Sequence, residues 1–182
     1  MASLSSFTTI FFFFMFILSL GMPSIAKLTE NEIKLICLQT RDPPFCFRTL
    51  KLDPRVDISN IQTLARTMIT KAHNYARKTY YEISSIITIT GDRRVREKYQ
   101  LCAEKYKEAI VELDGAKQNL ASGYYRKVRL EAISAKLRAR TCEEAVEKSW
   151  KDTIMPIRDN NRDFRNLCNI VWSISNRLIM GN

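Results

Sequence analysis

Apolar and small residues recur at steps of three and four along most of the chain, and no stretch of useful length alternates as a strand would. From Asp57, read as an N-cap, the series Ile58, Ile61, Leu64, Met68, Ala72, Ala76, Ile83 and Ile87 marks one face of a helix of about eight turns that should stop near Gly91. A second series, Val95, Tyr99, Cys102, Tyr106, Ile110, Leu113, Ala116 and Leu120, keeps a period of about 3.5 residues up to Gly123, as a bundle seam does. A third helix is expected from about Tyr125 to Trp150, with Val128, Ala132, Ala135, Ala139, Cys142 and Val146 inward. Pro156 separates it from a fourth, in which Phe164, Leu167, Val171, Ile174 and Leu178 repeat the pattern. Four such helices with short connections must turn back on one another. The predicted class is all-α: an up-down-up-down four-helix bundle over residues 57–182, preceded at 27–56 by a smaller helical hairpin. In that hairpin Lys27 to Gln39 and Phe45 to Leu52 form short helices on either side of Pro43-Pro44.

The first 26 residues differ from the rest. They carry no charge, the run from Thr9 to Leu20 is almost wholly apolar, and Ser24 and Ala26 put small residues at the −3 and −1 positions of a cleavage site before Lys27. The run is shorter than the roughly 18 to 20 residues that span a bilayer, so residues 1–26 read as a secretory signal peptide and no stable membrane anchor is expected. The chain is expected to be secreted, and no N-x-S/T sequon calls for N-glycosylation.

An oxidising destination changes the meaning of five cysteines, at positions 37, 46, 102, 142 and 168. Helical phase places Cys102 and Cys142 on the core stripes of adjacent helices, Cys37 and Cys46 flank the proline turn, and Cys168 sits beside Leu167 on the core face of the last helix. A metal reading of Cys37 and Cys46 needs two further ligands, and the only histidine is His73. Closing loops of these lengths stabilises a chain by roughly 2.7 and 3.9 kcal/mol, so disulfides are the stronger reading. No cofactor or metal is expected.

Catalytic chemistry is equally hard to assemble. Cys168 and His73 are the sole thiol and imidazole that could act together, and both read more simply as bundle residues, His73 near the helix surface. Glu143 and Glu144 are adjacent and so point about 100° apart on a helix. No glycine-rich phosphate loop, nucleophile elbow or zinc-protease motif occurs. The chain is expected to work by binding. Its 29 Lys and Arg against 19 Asp and Glu give a formal charge of +10, which suits an acidic partner (nucleic acid, an anionic membrane or an acidic polysaccharide) or, more blandly, a solvated basic surface. Secretion and the lack of an aromatic-basic motif argue against nucleic acid.

The segments "CLQTRDPPFC", "RTLKLDPR", "LARTMITKA", "CAEKYKEAIVELDGAKQNL", "RTCEEA" and "NNRDFRNLCNIVWSISNRL" together resemble the plant invertase and pectin methylesterase inhibitor family over essentially the whole of residues 27–182. The resemblance implies a four-helix bundle with a disulfide-closed N-terminal hairpin, the pairs Cys37–Cys46 and Cys102–Cys142, and a free thiol at Cys168. It also implies a secreted, apoplastic inhibitor that covers the active-site cleft of a cell-wall carbohydrate enzyme in a 1:1 complex and carries no catalytic residues of its own. Invertase inhibitors of the family present Pro-Lys-Phe near the start of the third helix, where this chain has Tyr124-Tyr125-Arg126-Lys127. The pectin methylesterase branch shows Val-Ser-Ala-Ala-Leu before its Thr-Cys, whereas here Ile133 to Leu137 reads "ISAKL", one residue closer to the cysteine. The missing Pro-Lys-Phe turns the expectation toward pectin methylesterase, with acid invertase as the alternative target and a basic, pectin-binding scaffold without inhibitory activity as the other.

With Val128, Ala132 and Ala135 inward, Arg126, Leu130, Ile133 and Leu137 fall on the opposite side of the third helix, with Arg140 beside them. An apolar stripe rimmed by arginine suits a partner surface. The bland alternative is a helix buried on two sides, with the hairpin lying over it. Tyr124 and Tyr125 at the preceding turn are expected as exposed aromatic anchors. Arg93, Arg94, Arg96 and Lys98 read as a solvated helix start.

Overall fold

The computed structural model of the protein describes residues 27–147 and 156–181, and the signal peptide and Trp150 of the sequence reading lie outside them. Its helices are α1 Glu30–Leu38, α2 Pro43–Phe47, a π-helical turn Arg48–Leu52, α3 Ile61–Ile89, α4 Arg93–Ala121, α5 Tyr125–Glu147 and α6 Pro156–Met180. There is no strand among the described residues, and no helix among them is long and apolar enough to cross a membrane.

Each bundle helix starts and stops where its backbone ends are satisfied. α3 begins three residues later than the sequence pattern suggests, because Asn60 rather than Asp57 accepts from the N–H of Thr63 (2.8 Å). Asp57 caps a tighter turn, accepting from Ser59 N at 2.8 Å. α4 starts at Asp92, whose carboxylate takes the N–H groups of Arg94 and Val95 (2.7 and 3.2 Å). That carboxylate offsets the unfavourable sign of three arginines in the first turn. Arg93 pairs with Glu97, Arg96 donates to Thr90 O, and the three arginines are exposed as expected, with Lys98 half-buried. Gly123, at φ 74°, ends α4 with the Schellman pattern: its own N–H returns to Leu120 O and that of Tyr124 to Asn119 O.

α3 packs on α4, α4 on α5, α5 on α6, and α6 back on α3, so the four helices form a closed square. The cross-links run in opposite order along α4 and α5: Cys102 meets Cys142, Glu108 meets Arg138, and Asn119 meets Glu131. His73–Asp114 ties α3 to α4, Gln62–Tyr125 ties the start of α3 to the start of α5, and Arg165–Glu143 and Lys136–Asn169 fix the antiparallel register of α5 and α6. The predicted up-down-up-down bundle is the observed one.

The interior is apolar and continuous, from Leu64, Met68 and Ile83 through Tyr106 and Leu113 to Phe164, Leu167 and Val171. Tyr106 and Phe164 meet with ring centroids 5.5 Å apart. Tyr106 donates its hydroxyl proton to Asn161 Oδ1 at 2.6 Å, and both residues are fully buried. The amide of Asn161 in turn reaches Cys142 Sγ at 3.8 Å, tying α4, α5 and α6 at one level.

Cys37–Cys46 closes the hairpin and Cys102–Cys142 joins α4 to α5, with Cα atoms 5.4 and 4.5 Å apart. The hairpin lies against α6, not over α5. Ser173 donates to Ile36 O (2.7 Å), Asn166 donates to Asp42 (3.2 Å), and Ile33, Ile36 and Leu50 carry the core outward beneath it. The second arm is an α-helical turn that widens into a π turn, which brings Thr49 and Leu50 inward together. Leu28 N–H donates to Ile58 O at 3.1 Å, binding the segment before the hairpin to the segment after it.

Replacing Cys102 and Cys142 together by serine opens the larger loop and leaves two polar groups in the core, so unfolding in urea is expected to show a loss of at least about 3 kcal/mol. Tyr106→Phe strands the Asn161 carbonyl in an apolar interior and should cost about 1–3 kcal/mol in the same measurement, with an unchanged m-value.

Candidate functional site

The inward face of α5 is made of small residues. Val128, Ala132, Ala135, Ala139 and Cys142 are all buried, and they let the helix approach α4 and α6 closely. Longer side chains on the opposite face are left largely in solvent among the described residues. Leu130 is 56% exposed and Leu137 49%, with Ile133 half-buried between them and Arg126, Lys127 and Arg140 in solvent. The exposed-stripe reading of this helix holds, and burial beneath the hairpin does not, because the hairpin sits on α6.

The turn before α5 separates two tyrosines that the sequence reading treated alike. Gly123 directs the chain so that Tyr124 projects outward, 57% exposed, with Lys127 Nζ 5.1 Å from its ring centroid. Tyr125 points the other way. It is 8% exposed and accepts from Gln62 Nε2 at 2.7 Å, so the expectation of an exposed aromatic is corrected: it caps the bundle end between α3 and α5. The spacing signal was present, since Tyr125 stands three residues before inward Val128.

Charge around the stripe is uneven. Arg140 pairs with Glu144 at 2.7 Å, and Arg138 bridges α5 to Glu108 (2.9 Å) and Glu112 (3.4 Å) on α4. Arg126 and Lys127 have no carboxylate within 4 Å among the described residues. The sequence reading missed Glu131, one residue after Leu130. Its Oε1 accepts from Asn119 at 2.7 Å, its Oε2 has no partner among the described residues, and burial raises its pKa. A Cβ on Gly115 would lie 2.6 Å from that carboxylate, so glycine leaves the space that the Glu131 side chain occupies. A glycine inside a long helical pattern was the available signal.

Nothing in this region or the core is built for covalent chemistry. Cys168 is buried, and desolvation pushes its thiol pKa far up, away from a reactive thiolate. His73 is not near the helix surface as the sequence reading had it. It is 8% exposed and turned toward α4, with Nε2 3.1 Å from Asp114 Oδ1. No group of three metal-ligating side chains occurs among the described residues. The site can present a surface of apolar groups and cations, which is what binding to another protein requires.

The family description "Plant invertase/pectin methylesterase inhibitor" matches residues 31–174. The chain is 32% identical over 178 residues to a pectinesterase inhibitor of Actinidia deliciosa, covering 97% of this chain and 95% of that one. It is 31% identical to pectinesterase inhibitor 2 of Arabidopsis thaliana, over 81% of this chain and 84% of the relative. Among solved structures, a mutant form of a pectin methylesterase inhibitor from Arabidopsis superposes with a TM-score of 0.74 at 31% identity, over 80% of this chain and 95% of that one. A second crystal structure of an Arabidopsis thaliana pectin methylesterase inhibitor gives 0.62 at 30% identity, over 83% and 98%. Matched over most of its length in sequence and in shape, this chain belongs to the plant invertase/pectin methylesterase inhibitor family.

Proposed function

We propose that this chain is a secreted inhibitor of pectin methylesterase, acting in the apoplast as a 1:1 complex in which the outward face of α5 and Tyr124 cover the enzyme's cleft. The observation that carries the reading is Leu130 and Leu137, each about half exposed on a helix whose inner face is fully engaged, with Tyr124 57% exposed at the turn before it. Side chains of this size left in water on a rigid helix supply the apolar centre of an interface, and Arg126, Lys127 and Arg140 supply a polar rim. The names of the relatives support pectin methylesterase as the target. Acid invertase, the other enzyme in the family's name, is the counter-target in the assay.

Purified protein should reduce the rate of a plant pectin methylesterase to near zero at one molar equivalent and leave acid invertase unaffected between about pH 5 and 7. Inhibition of neither enzyme would overturn the reading. Leu130→Asp combined with Leu137→Asp should raise the inhibition constant at least about 100-fold, or about 2.7 kcal/mol, because charge would replace apolar area at the centre of the contact. Since both residues are exposed in the free protein, its stability should change by less than about 0.5 kcal/mol. Tyr125→Phe separates the two tyrosines: it should lower stability by about 0.5–1.5 kcal/mol through the lost Gln62 bond, while the inhibition constant stays within about twofold.

A further inference from the structure

On the side of the square away from α5, an open groove follows α2, the π turn and the 53–56 segment where they lie beside α3 and α6. One section, of about 970 Å³, is bordered by Arg48, Asp53, Arg55, Lys71 and Arg162. It continues into another of about 790 Å³ bordered by Arg66, Thr67, Thr70, Asn74, Tyr75 and Lys78, and Phe45 borders both. Each section has the size of a small-ligand site.

Six cations border the groove (Arg48, Arg55, Arg66, Lys71, Lys78, Arg162) against three carboxylates (Asp42, Asp53, Asp163), an excess of three. Glu82, 3.6 Å from Lys78, and Asp159, 2.9 Å from Arg162, reduce that excess to one. The carboxylates are already committed. Asp53 binds Arg55 and Lys71, which together hold its carboxyl far below the usual range. Asp163 pairs with Arg162 at 3.1 Å, and Asp42 caps α2 while accepting from Asn166. Arg48 and Arg66 are exposed and have no carboxylate within 4 Å among the described residues. Between the cations stand two partly exposed rings, Phe45 and Tyr75, and the hydroxyl and amide groups of Thr67, Thr70 and Asn74. Burial and the nearby Asp163 push the Tyr75 phenol up to about 12, so it stays neutral.

Guanidinium groups bind carboxylates through two parallel hydrogen bonds, hydroxyls and amides bond sugar hydroxyls, and aromatic rings cover the apolar face of a pyranose. We infer that this groove binds a polyuronide strand, a chain of sugar rings each bearing a carboxylate, with Arg48 and Arg66 taking successive charges. The choice of ligand rests on the proposed function in one respect: hydrolysis of pectin methyl esters leaves carboxylates, so the target enzyme's product is such a polyanion. α3 is diagonal to α5 in the square, so one molecule could hold the enzyme on one side and its product on the other.

A chain of charge +10 also attracts polyanions diffusely, and the test must separate the two effects. Binding of an oligogalacturonate of about ten rings is measured by calorimetry at 0.1 M salt, beside the same oligomer fully methyl-esterified. Arg48→Ser with Arg66→Ser is compared with Arg93→Ser and Arg94→Ser, an equal loss of exposed charge at the start of α4. The groove variant should bind at least tenfold more weakly, the control variant within about twofold of the parent, and the esterified oligomer should not bind; melting temperatures should agree within about 2 °C. Equal weakening of both variants, equal binding of the esterified oligomer, or no binding to the parent would overturn the proposal. Binding to the groove without inhibition of pectin methylesterase would leave the site in place and remove the proposed function. Inhibition without groove-dependent binding would do the reverse.

Discussion

The structure depends on how closely α5 can approach its neighbours. Its inward positions are alanine at 132, 135 and 139 and cysteine at 142, so the helix backbone lies within reach of α4, and Cys102 and Cys142 join with Cα atoms 4.5 Å apart. Bulk is supplied from the other helices by Tyr106, Leu113, Phe164 and Leu167. Larger side chains on α5 would push the helices apart and open voids that the interior could not refill without strain. Packed in this way, α5 satisfies its inner side with small groups, and its long side chains remain on the outside.

That division determines which surfaces are available. The hairpin takes α6 through Ser173, Asn166 and the apolar residues under α1, and the closed square occupies the inner faces of α3 and α4. α5 is left with an outward stripe that no element among the described residues covers, while the hairpin's second arm and the 53–56 segment form one wall of a basic groove elsewhere. Arg138 bridges α5 to Glu108 and Glu112, and Glu131 is bonded to Asn119, so the helix that carries the stripe is held rigidly. A preformed face loses less conformational entropy on binding than a flexible one.

Much of the bundle was legible in the chain because helical period and core face are one physical fact: a helix with apolar residues every three or four positions has to bury that stripe. The inward residues of the third helix follow from this, and so do the burial of Cys168 and the phases of Cys102 and Cys142. Boundaries were less legible. Asp57 and Asn60 are both good N-caps three residues apart, and only the hydrogen bond to Thr63 selects Asn60. Likewise, only the three-residue step from Tyr125 to Val128 hints in sequence at what the left-handed turn at Gly123 settles, that Tyr124 faces outward and Tyr125 inward.

By itself, then, the sequence determined an all-α chain of four amphipathic helices behind a cysteine-bracketed hairpin, because periodicity and turn chemistry act over a few residues. It left open whether Leu130, Ile133 and Leu137 meet water or another helix, and it gave no sign that Arg48 and Arg66 border one groove. Those outcomes belong to the tertiary structure. A helix pattern records which side is apolar, but what lies against each side depends on contacts between residues far apart in the chain, such as Ile36 with Ser173 and Asp42 with Asn166.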